Sequence, residues 1–263
     1  MKNSWSYLII FSLALSTLFS CNKKDHAVMP ETETYLTNAK LKRIFLLPSE
    51  NAKDPIAITD EYEYDDFGRI SKVIHPFYKD GEIVDIISYD LYEYQNGQLS
   101  RIKKMTNNQI LGFINIQNNI YEYDQTGKKV KEIIEYPQIH TTEHLDFFYD
   151  KENRLVKTQY FDAKILLSRY SLNEYNGNGQ LNKEVVYAAD NKYLYHTIHQ
   201  YTNGLLTQSD VYGGKEMSRI REISRKYDSN KNLIFVYSKE LSLLSSRSNE
   251  ALKYEYFETV IVL

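Results

Sequence analysis

The chain has 263 residues, with 32 basic and 35 acidic side chains and a formal charge of −3 at pH 7. This balance argues against nucleic acid as a partner, because phosphate binding needs a basic face, and the single Cys excludes an internal disulfide. The excess of 24 Tyr over one Trp, with a mean hydropathy of −0.52, favours an all-β protein, since tyrosine rings pack on a pleated sheet while their hydroxyls stay hydrated.

The start of the chain is typical of a lipoprotein signal peptide. Lys2 precedes an apolar run, residues 7–19, that is too short to span a bilayer, and the run ends in LFSC at Cys21. This ending resembles the lipobox of bacterial lipoproteins, which implies that Cys21 becomes an acylated N-terminus; an ordinary secretory peptide is the alternative. The predicted organisation is a signal peptide, a flexible tether and a β-sheet domain, at residues 1–20, 21–39 and 40–263.

One phrase recurs along the chain: YEYDDFGRI at Tyr62 returns as YEYQNGQLSRI at Tyr92 and as YEYDQTGKKV at Tyr121. The last aromatic residue before each turn, here termed the anchor tyrosine, recurs at intervals of 26 to 30 residues, at Tyr64, Tyr94, Tyr123, Tyr149, Tyr175, Tyr201, Tyr227 and Tyr256. A period of this length indicates that one supersecondary unit has been copied.

Turn residues follow seven of the anchors, as in DDFG, QNG and NGNG, so each unit is predicted to be a hairpin. The chain is therefore predicted to be all-β: an antiparallel meander of about sixteen strands built from repeated hairpins and curled into a barrel, a spiral or a half-shell. We expect a first strand at Leu41–Leu47, hairpins over 57–239, an irregular insert over 239–252 and a closing strand over 252–262.

The turns also predict a register. Pairing across the first turn places Tyr64 opposite Ile70 and Tyr62 opposite Lys72, and the second column continues with Tyr92 opposite Arg101 and with Tyr121 opposite Lys131. These rings and cations form the candidate binding surface, made of Tyr62, Tyr92, Tyr121, Lys72, Arg101 and Lys131. The basic column is compatible with a polyanion stripe, but side-chain stems that cover aromatic rings are the favoured interpretation.

The segments YEYDDFGRISKV, YEYDQTGKKVKE and FFYDKENRLVKT resemble the Tyr-Asp repeats of the RHS and YD-repeat family. The resemblance covers roughly residues 57–257, although Gly is lost after Tyr149 and Tyr227. It implies a wound β-sheet shell. Large family members enclose a toxin, but we expect no cargo domain in this chain. With the lipobox, the repeats resemble small surface lipoproteins of Bacteroidetes-type bacteria.

Two histidine motifs are candidates for metal binding. HTTEH, from His140 to His144, matches a zinc-peptidase pattern that has chemical meaning only on a helix, whereas here it lies between strands. His196 and His199 stand three apart on a predicted strand, so they should point to opposite faces. We predict no metal, no cofactor and no enzymatic activity, because the acids recur as a solvated face and the glycines belong to turns.

Three functions fit these features. The favoured one is a lipoprotein of the cell envelope, in the outer membrane and possibly exposed at the surface, whose sheet is a non-catalytic binding platform for a glycan or a protein. A structural or accessory component related to RHS polymorphic-toxin systems is the alternative, and it rests on the resemblance alone. An outer-membrane barrel is disfavoured because Lys72 and Glu63 place charges on both faces.

Overall fold

The computed structural model describes residues 39–79, 82–214, 217–241 and 249–256. The predicted signal peptide, Cys21 and all of the tether except residue 39 lie outside these ranges. No helix that could cross a membrane occurs in the described part of the chain. The described residues form sixteen strands: β1 (Leu41–Leu47), β2 (Ala57–Tyr64), β3 (Ile70–Lys79), β4 (Glu82–Gln95), β5 (Gln98–Asn108), β6 (Gly112–Tyr123), β7 (Lys129–Tyr136), β8 (Thr141–Tyr149), β9 (Leu155–Phe161), β10 (Leu167–Tyr175), β11 (Leu181–Ala188), β12 (Tyr193–Thr202), β13 (Leu205–Gly213), β14 (Ser218–Tyr227), β15 (Leu233–Glu240) and β16 (Glu250–Tyr256).

The sixteen strands form one closed antiparallel barrel in which every strand pairs with its neighbours in the sequence. The barrel closes because β1 pairs with β2 on one side and with β16 on the other. The all-β meander is therefore confirmed, and of the three predicted shapes the barrel is the one observed. The predicted first strand matches β1, and the part of the predicted closing strand beyond residue 256 lies outside the described residues.

The inner face of the barrel is identified by its packing. Ile44, Tyr62, Val73, Leu233 and Tyr254 come from five strands on both sides of the closure and form one buried cluster. Since alternate side chains of a strand point to opposite faces, the residues two positions away along each strand share this inner face. Tyr64 and Tyr256 each lie two residues after a member of this cluster, and the other six anchor tyrosines hold the same position in their repeats. The eight anchor side chains therefore point inward.

The predicted pairing at the turns is confirmed in every hairpin. Seven anchor tyrosines precede a turn, and each faces the residue that follows it, in the pairs Tyr64 and Ile70, Tyr94 and Leu99, Tyr123 and Lys129, Tyr149 and Leu155, Tyr175 and Leu181, Tyr201 and Leu206, and Tyr227 and Leu233. Six of the seven facing residues are aliphatic, so the anchor column packs rings against branched side chains.

The predicted second column is wrong. Tyr62 pairs with Val73, and Lys72 pairs instead with Glu63; Tyr92 likewise pairs with Ile102 and Tyr121 with Glu132, while Arg101 faces Glu93 and Lys131 faces Glu122. The cause is a β-bulge in each hairpin, because the register shifts by one residue directly beside the anchor. The extra residues are Ser71, Ser100, Val130, Val156, Asn182, Thr207 and Ile234.

Hydrogen bonds from the anchor hydroxyls circle the barrel. Tyr94 donates its hydroxyl to the backbone carbonyl of Ile70 at 2.8 Å, which joins one hairpin to the preceding one. The other seven anchors do the same to the carbonyls of Leu41, Leu99, Lys129, Leu155, Leu181, Leu206 and Leu233 at 2.7 to 3.0 Å. Each such bond contributes about 1 kcal/mol, which gives the repeated tyrosine a structural role in joining consecutive hairpins.

The Asp of the Tyr-Asp motif shapes the turns. Asp65 accepts hydrogen bonds on Oδ1 from the backbone N–H groups of Phe67 and Arg69, and its backbone N–H donates to the carbonyl of Arg69 at 2.8 Å. Where the motif loses its Gly, Asn153 and Lys231 take the left-handed conformation, with φ of 64° and 66°. The turn geometry therefore persists without Gly, since the side-chain acceptor of the Asp holds the loop.

Candidate binding surface

The structure divides the six predicted surface residues between the two faces of the barrel. The three rings, of Tyr62, Tyr92 and Tyr121, belong to the inner face, because each lies two residues before an anchor. The three cations, of Lys72, Arg101 and Lys131, point outward. The barrel wall therefore separates the two halves of the predicted surface.

The inward tyrosines are packing residues. Tyr62 is 6% exposed and belongs to the buried cluster at the barrel closure, against which Tyr92 also packs. Burial, followed by the charge of Asp60, raises the pKa of Tyr62, and burial raises the pKa of Tyr92 and Tyr121 as well. These phenols therefore stay protonated at neutral pH.

The outward cations lie beside acids. Lys72 Nζ lies 3.9 Å from Glu63, Arg101 Nη1 lies 3.6 Å from Glu93, and Lys131 Nζ lies 3.9 Å from Asp146, and all are partly exposed. Such surface pairs contribute little stability but neutralise the column, which argues against the polyanion stripe. The favoured interpretation, in which these stems cover Tyr62, Tyr92 and Tyr121, is wrong because those rings lie on the other face. Lys72 instead covers an outward ring, since its Nζ lies 4.8 Å from the ring centroid of Tyr89.

A buried ion cluster lies on the inner face near the closure. Asp60, which is 2% exposed, has Oδ1 at 2.7 Å from Nδ1 of His75, and Asp90 approaches the other ring nitrogen at 3.8 Å. Burial lowers the pKa of His75, but hydrogen bonds and the charges of the two aspartates outweigh it and raise this pKa to about 10. His75 is therefore cationic at neutral pH and lies between the buried carboxylate of Asp60 and the partly buried carboxylate of Asp90.

A row of aromatic rings crosses the outer face of four adjacent strands, β10 to β13. We term this set the outer aromatic row; it consists of Tyr170, Tyr187, Tyr193, His196 and Tyr212. Consecutive ring centroids are 5.3, 6.4, 5.9 and 4.9 Å apart. Every member is half-buried, so each ring rests on the sheet and retains a solvent-facing part. Three spacings between strands make the row about 14 Å long.

The rings within the row take two orientations. Tyr170 stacks on Tyr187 and His196 stacks on Tyr212, with interplanar angles of 21° and 6°. Tyr193 lies between the two pairs, at 81° to Tyr187, and its hydroxyl donates to the carbonyl of Tyr212 at 3.0 Å. The row is thus a fixed arrangement of ring edges, hydroxyls and an imidazole. Aromatic contacts of this kind are typically worth 0.5 to 1.5 kcal/mol each.

The sequence pattern gave little sign of this row. Its members occupy different positions within their repeats, and Tyr193 faces outward because the pairing of β11 with β12 shifts register beside Tyr187. The prediction that His196 and His199 point to opposite faces is confirmed, because His199 contacts the inward Ser209 while His196 belongs to the row.

HTTEH starts on a turn and continues into β8, whereas the sequence pattern predicts that it lies between strands. His140 is a turn residue with a φ of 51°, and His144 on β8 stacks against Phe161 at 4.4 Å between centroids. The helical arrangement on which the zinc-peptidase pattern depends is therefore not formed by this segment. Among the described residues, no group of three or more His, Cys, Asp or Glu side chains could hold a metal ion.

No family model matches the sequence, and no curated protein matches it. Among solved structures, a porin-like protein from Bacteroides uniformis ATCC 8492 is similar, with a TM-score of 0.55 and 12% identity over 84% of this chain and 98% of that chain. The fold resembles that of a porin-like protein. The TcdB2-TccC3-Cdc42 structure also matches, with a TM-score of 0.22 and 12% identity over 71% of this chain and 13% of that chain. At such identities the first likeness concerns the fold alone, and the second carries no argument.

Proposed function

We propose that this protein is a non-catalytic binding protein of the bacterial cell envelope, held to the membrane by a lipid on Cys21, and that its outer aromatic row binds a glycan. The observation that carries the proposal is the row itself, in which five partly exposed rings occupy neighbouring strands. Sugars offer C–H groups to aromatic rings and hydroxyls to polar ring atoms, and the row supplies both kinds of partner. Its length of about 14 Å suits a short oligosaccharide.

The charges of the outer face support an anchored protein rather than an inserted one. Ion pairs such as Lys72 with Glu63 and Lys131 with Asp146 lie on this face, as does Asp210 with Arg219. A barrel that spans an outer membrane presents an apolar band to lipid, and charges within that band are costly. The proposed lipid on Cys21 accounts for membrane attachment without insertion of the barrel.

The glycan proposal predicts that loss of one ring in the row weakens binding. The mature chain, with Cys21→Ser to prevent lipidation, is screened on a glycan array, and the best ligand is titrated by calorimetry. Tyr187→Ala removes the ring that contacts two others, so we expect roughly tenfold weaker binding, or about 1.4 kcal/mol. Tyr89→Ala removes a half-buried ring outside the row, on β4, and should leave the affinity unchanged.

Other outcomes of this experiment would change the proposal. If the glycan array gives no signal, but the wild-type chain captures a protein and Tyr187→Ala does not, the ligand of the row is a protein. Equal binding by Tyr187→Ala and Tyr89→Ala would place the ligand elsewhere. Absence of any ligand for the wild-type chain in both screens would contradict the binding platform.

The anchor proposal predicts a change of location. In a bacterial host that processes lipoproteins, Cys21→Ser should abolish incorporation of labelled palmitate and move the full chain from the membrane fraction to the soluble fraction. The control is Ser12→Ala within the apolar run, which should keep both the label and the membrane location. Retention of Cys21→Ser in the membrane fraction would refute attachment through this residue.

A structural role beside a polymorphic toxin is the second candidate, and its support is the Tyr-Asp repeat of the sequence. Neighbouring genes for toxin or secretion components would favour it, whereas genes for glycan import would favour the binding platform. Both candidates are non-catalytic.

A further inference from the structure

Arg225 lies on β14 and points to the inner face of the barrel. It stands two residues before the anchor Tyr227, which is the position that Tyr62 holds in the first repeat. Its Nη1 donates to Oγ of Ser209 at 2.9 Å, and Nδ1 of His199 lies 3.0 Å from the same hydroxyl oxygen. Ser209 is 1% exposed, so the group that orients the guanidinium is fixed inside the wall.

Arg225 has no carboxylate partner in the described part of the chain, unlike several other cations of the barrel. Arg221 pairs with Glu240 at 2.7 Å, Arg219 pairs with Asp210 at 3.1 Å, and His75 has two aspartates. Within the described residues, Arg225 forms no ion pair with a carboxylate. Arg225 is half-buried, and a charge that is partly removed from water is usually paired, because desolvation without compensation is costly.

The surroundings of Arg225 confirm this lack of compensation. Burial lowers the pKa of Arg225, and the groups that act in the opposite direction are the phenols of Tyr227, Tyr254 and Tyr201 rather than any acid. Burial, followed by the charge of Arg225, lowers the pKa of His199 to about 4, so this imidazole is neutral at pH 7. The site therefore has a net positive charge, with neutral hydrogen-bonding groups around it.

We infer that Arg225 is the centre of an oxyanion-binding site inside the barrel, in which the guanidinium holds a carboxylate or phosphate group that enters from solvent. A guanidinium has five N–H donors in a planar fork that matches two oxygens of such a group, and the bond to Ser209 uses one of them. The side chain is half-buried rather than sealed, so solvent reaches it. Ser209 positions the fork, and His199 supplies a neutral neighbour that does not repel the anion.

This inference is independent of the outer aromatic row, because Arg225 and the row lie on opposite faces of the wall. The two sites can therefore be tested by separate variants. An acidic ligand from a larger molecule and a free inorganic anion share the same chemistry at the guanidinium.

The test measures anion binding by the unlipidated mature chain at constant ionic strength. Thermal unfolding is followed in inorganic phosphate, in acetate and in chloride, and the apparent affinity is obtained from the dependence of Tm on anion concentration. We expect phosphate or acetate to raise Tm above its value in chloride. Arg225→Gln should weaken this binding roughly 10- to 100-fold, the range expected when a charge-assisted hydrogen bond is lost. Arg219→Gln, which alters an outward and paired arginine, should leave it unchanged.

The comparison of salts distinguishes the kinds of anion that the site accepts. A response to acetate and phosphate alike supports a general oxyanion site, whereas a response to phosphate alone restricts the ligand to phosphate groups. Equal Tm shifts in wild-type and Arg225→Gln chains, or no anion-specific shift in either, would overturn the inference. Because removal of an unpaired charge is not expected to unfold the barrel, Arg225→Gln should show a Tm in chloride equal to or above that of the wild type; a large fall would mean that Arg225 serves packing instead.

Discussion

Asp60→Asn should lower the free energy of unfolding by about 3 kcal/mol, measured by urea denaturation at pH 7. Asp60 is 2% exposed and lies 2.7 Å from the cationic ring of His75. The variant keeps the size of the side chain but removes its charge, which leaves His75 with Asp90 alone, at 3.8 Å. Breaking a buried ion pair on one side is costly because the remaining charge stays desolvated.

The matched control is Asp66→Asn, in the first turn. Asp66 is exposed, so this variant should change the free energy of unfolding by less than about 0.5 kcal/mol. If the two variants lose similar amounts of the free energy of unfolding, the ion pair between Asp60 and His75 does not stabilise the fold.

The same cluster gives a pH dependence whose sign follows from the pKa of His75. The folded-state pKa is about 10 against an ordinary value of 6.5, so the folded state binds the proton more tightly than the unfolded state. The stability that this proton contributes is fully present below pH 6.5 and is lost as pH rises towards 10. Tyr62 and Tyr92, whose pKa values are raised by burial, stay neutral across this window. The free energy of unfolding of the wild type should therefore fall from pH 7 to pH 10, and that of Asp60→Asn should fall less. An equal fall in both proteins would contradict the raised pKa of His75.

The pairing at the turns was predictable because it is a local property. The Asp of the motif and a following Gly or Asn fix the loop, and the loop fixes which residue faces Tyr64 or Tyr94. The barrel closure was not predictable to the same degree, since β1 and β16 are about 200 residues apart and a repeat that curls into a spiral has the same local pattern. Closure depends on the total strand number and tilt, to which all units contribute.

The bulges explain why the second column was predicted wrongly. A bulge inserts one residue into one strand, so every side chain beyond it changes its partner. A sequence signal did exist: Ile70 and Val73 are three residues apart, as are Leu99 and Ile102, although both members of each pair face inward. An apolar interval of three in a strand of period two marks such a bulge. With it, Lys72 and Arg101 would have been placed on the outer face.

The Arg225 site illustrates a different limit. Arg225 occupies the same place in its repeat as Tyr62, and the sequence shows this substitution directly. Whether the cation is paired depends on which acids the neighbouring strands turn inward, and therefore on registers that contain bulges. The repeat thus identifies exceptional positions, while the three-dimensional pairing decides their chemistry.

Ile44→Ala should be among the most damaging substitutions in the described part of the chain, with an expected loss of about 3 to 4 kcal/mol in the free energy of unfolding. Ile44 is 2% exposed and pairs with Tyr254 of β16 on one side and with Asp60 of β2 on the other, so its side chain fills the centre of the closure. The cavity would weaken both seams of β1 together.

The control for Ile44→Ala is Ile83→Ala on β4, where the side chain is 39% exposed and a loss below about 1 kcal/mol is expected. Hydrogen exchange adds a readout that is specific to closure: the amides of β1 should lose protection in Ile44→Ala while those of β8 and β9, on the far side of the barrel, keep theirs. A uniform loss of protection would indicate that the barrel unfolds as one cooperative unit. Unchanged protection in β1, together with a small loss of stability, would contradict the role of Ile44 in holding the two ends of the meander together.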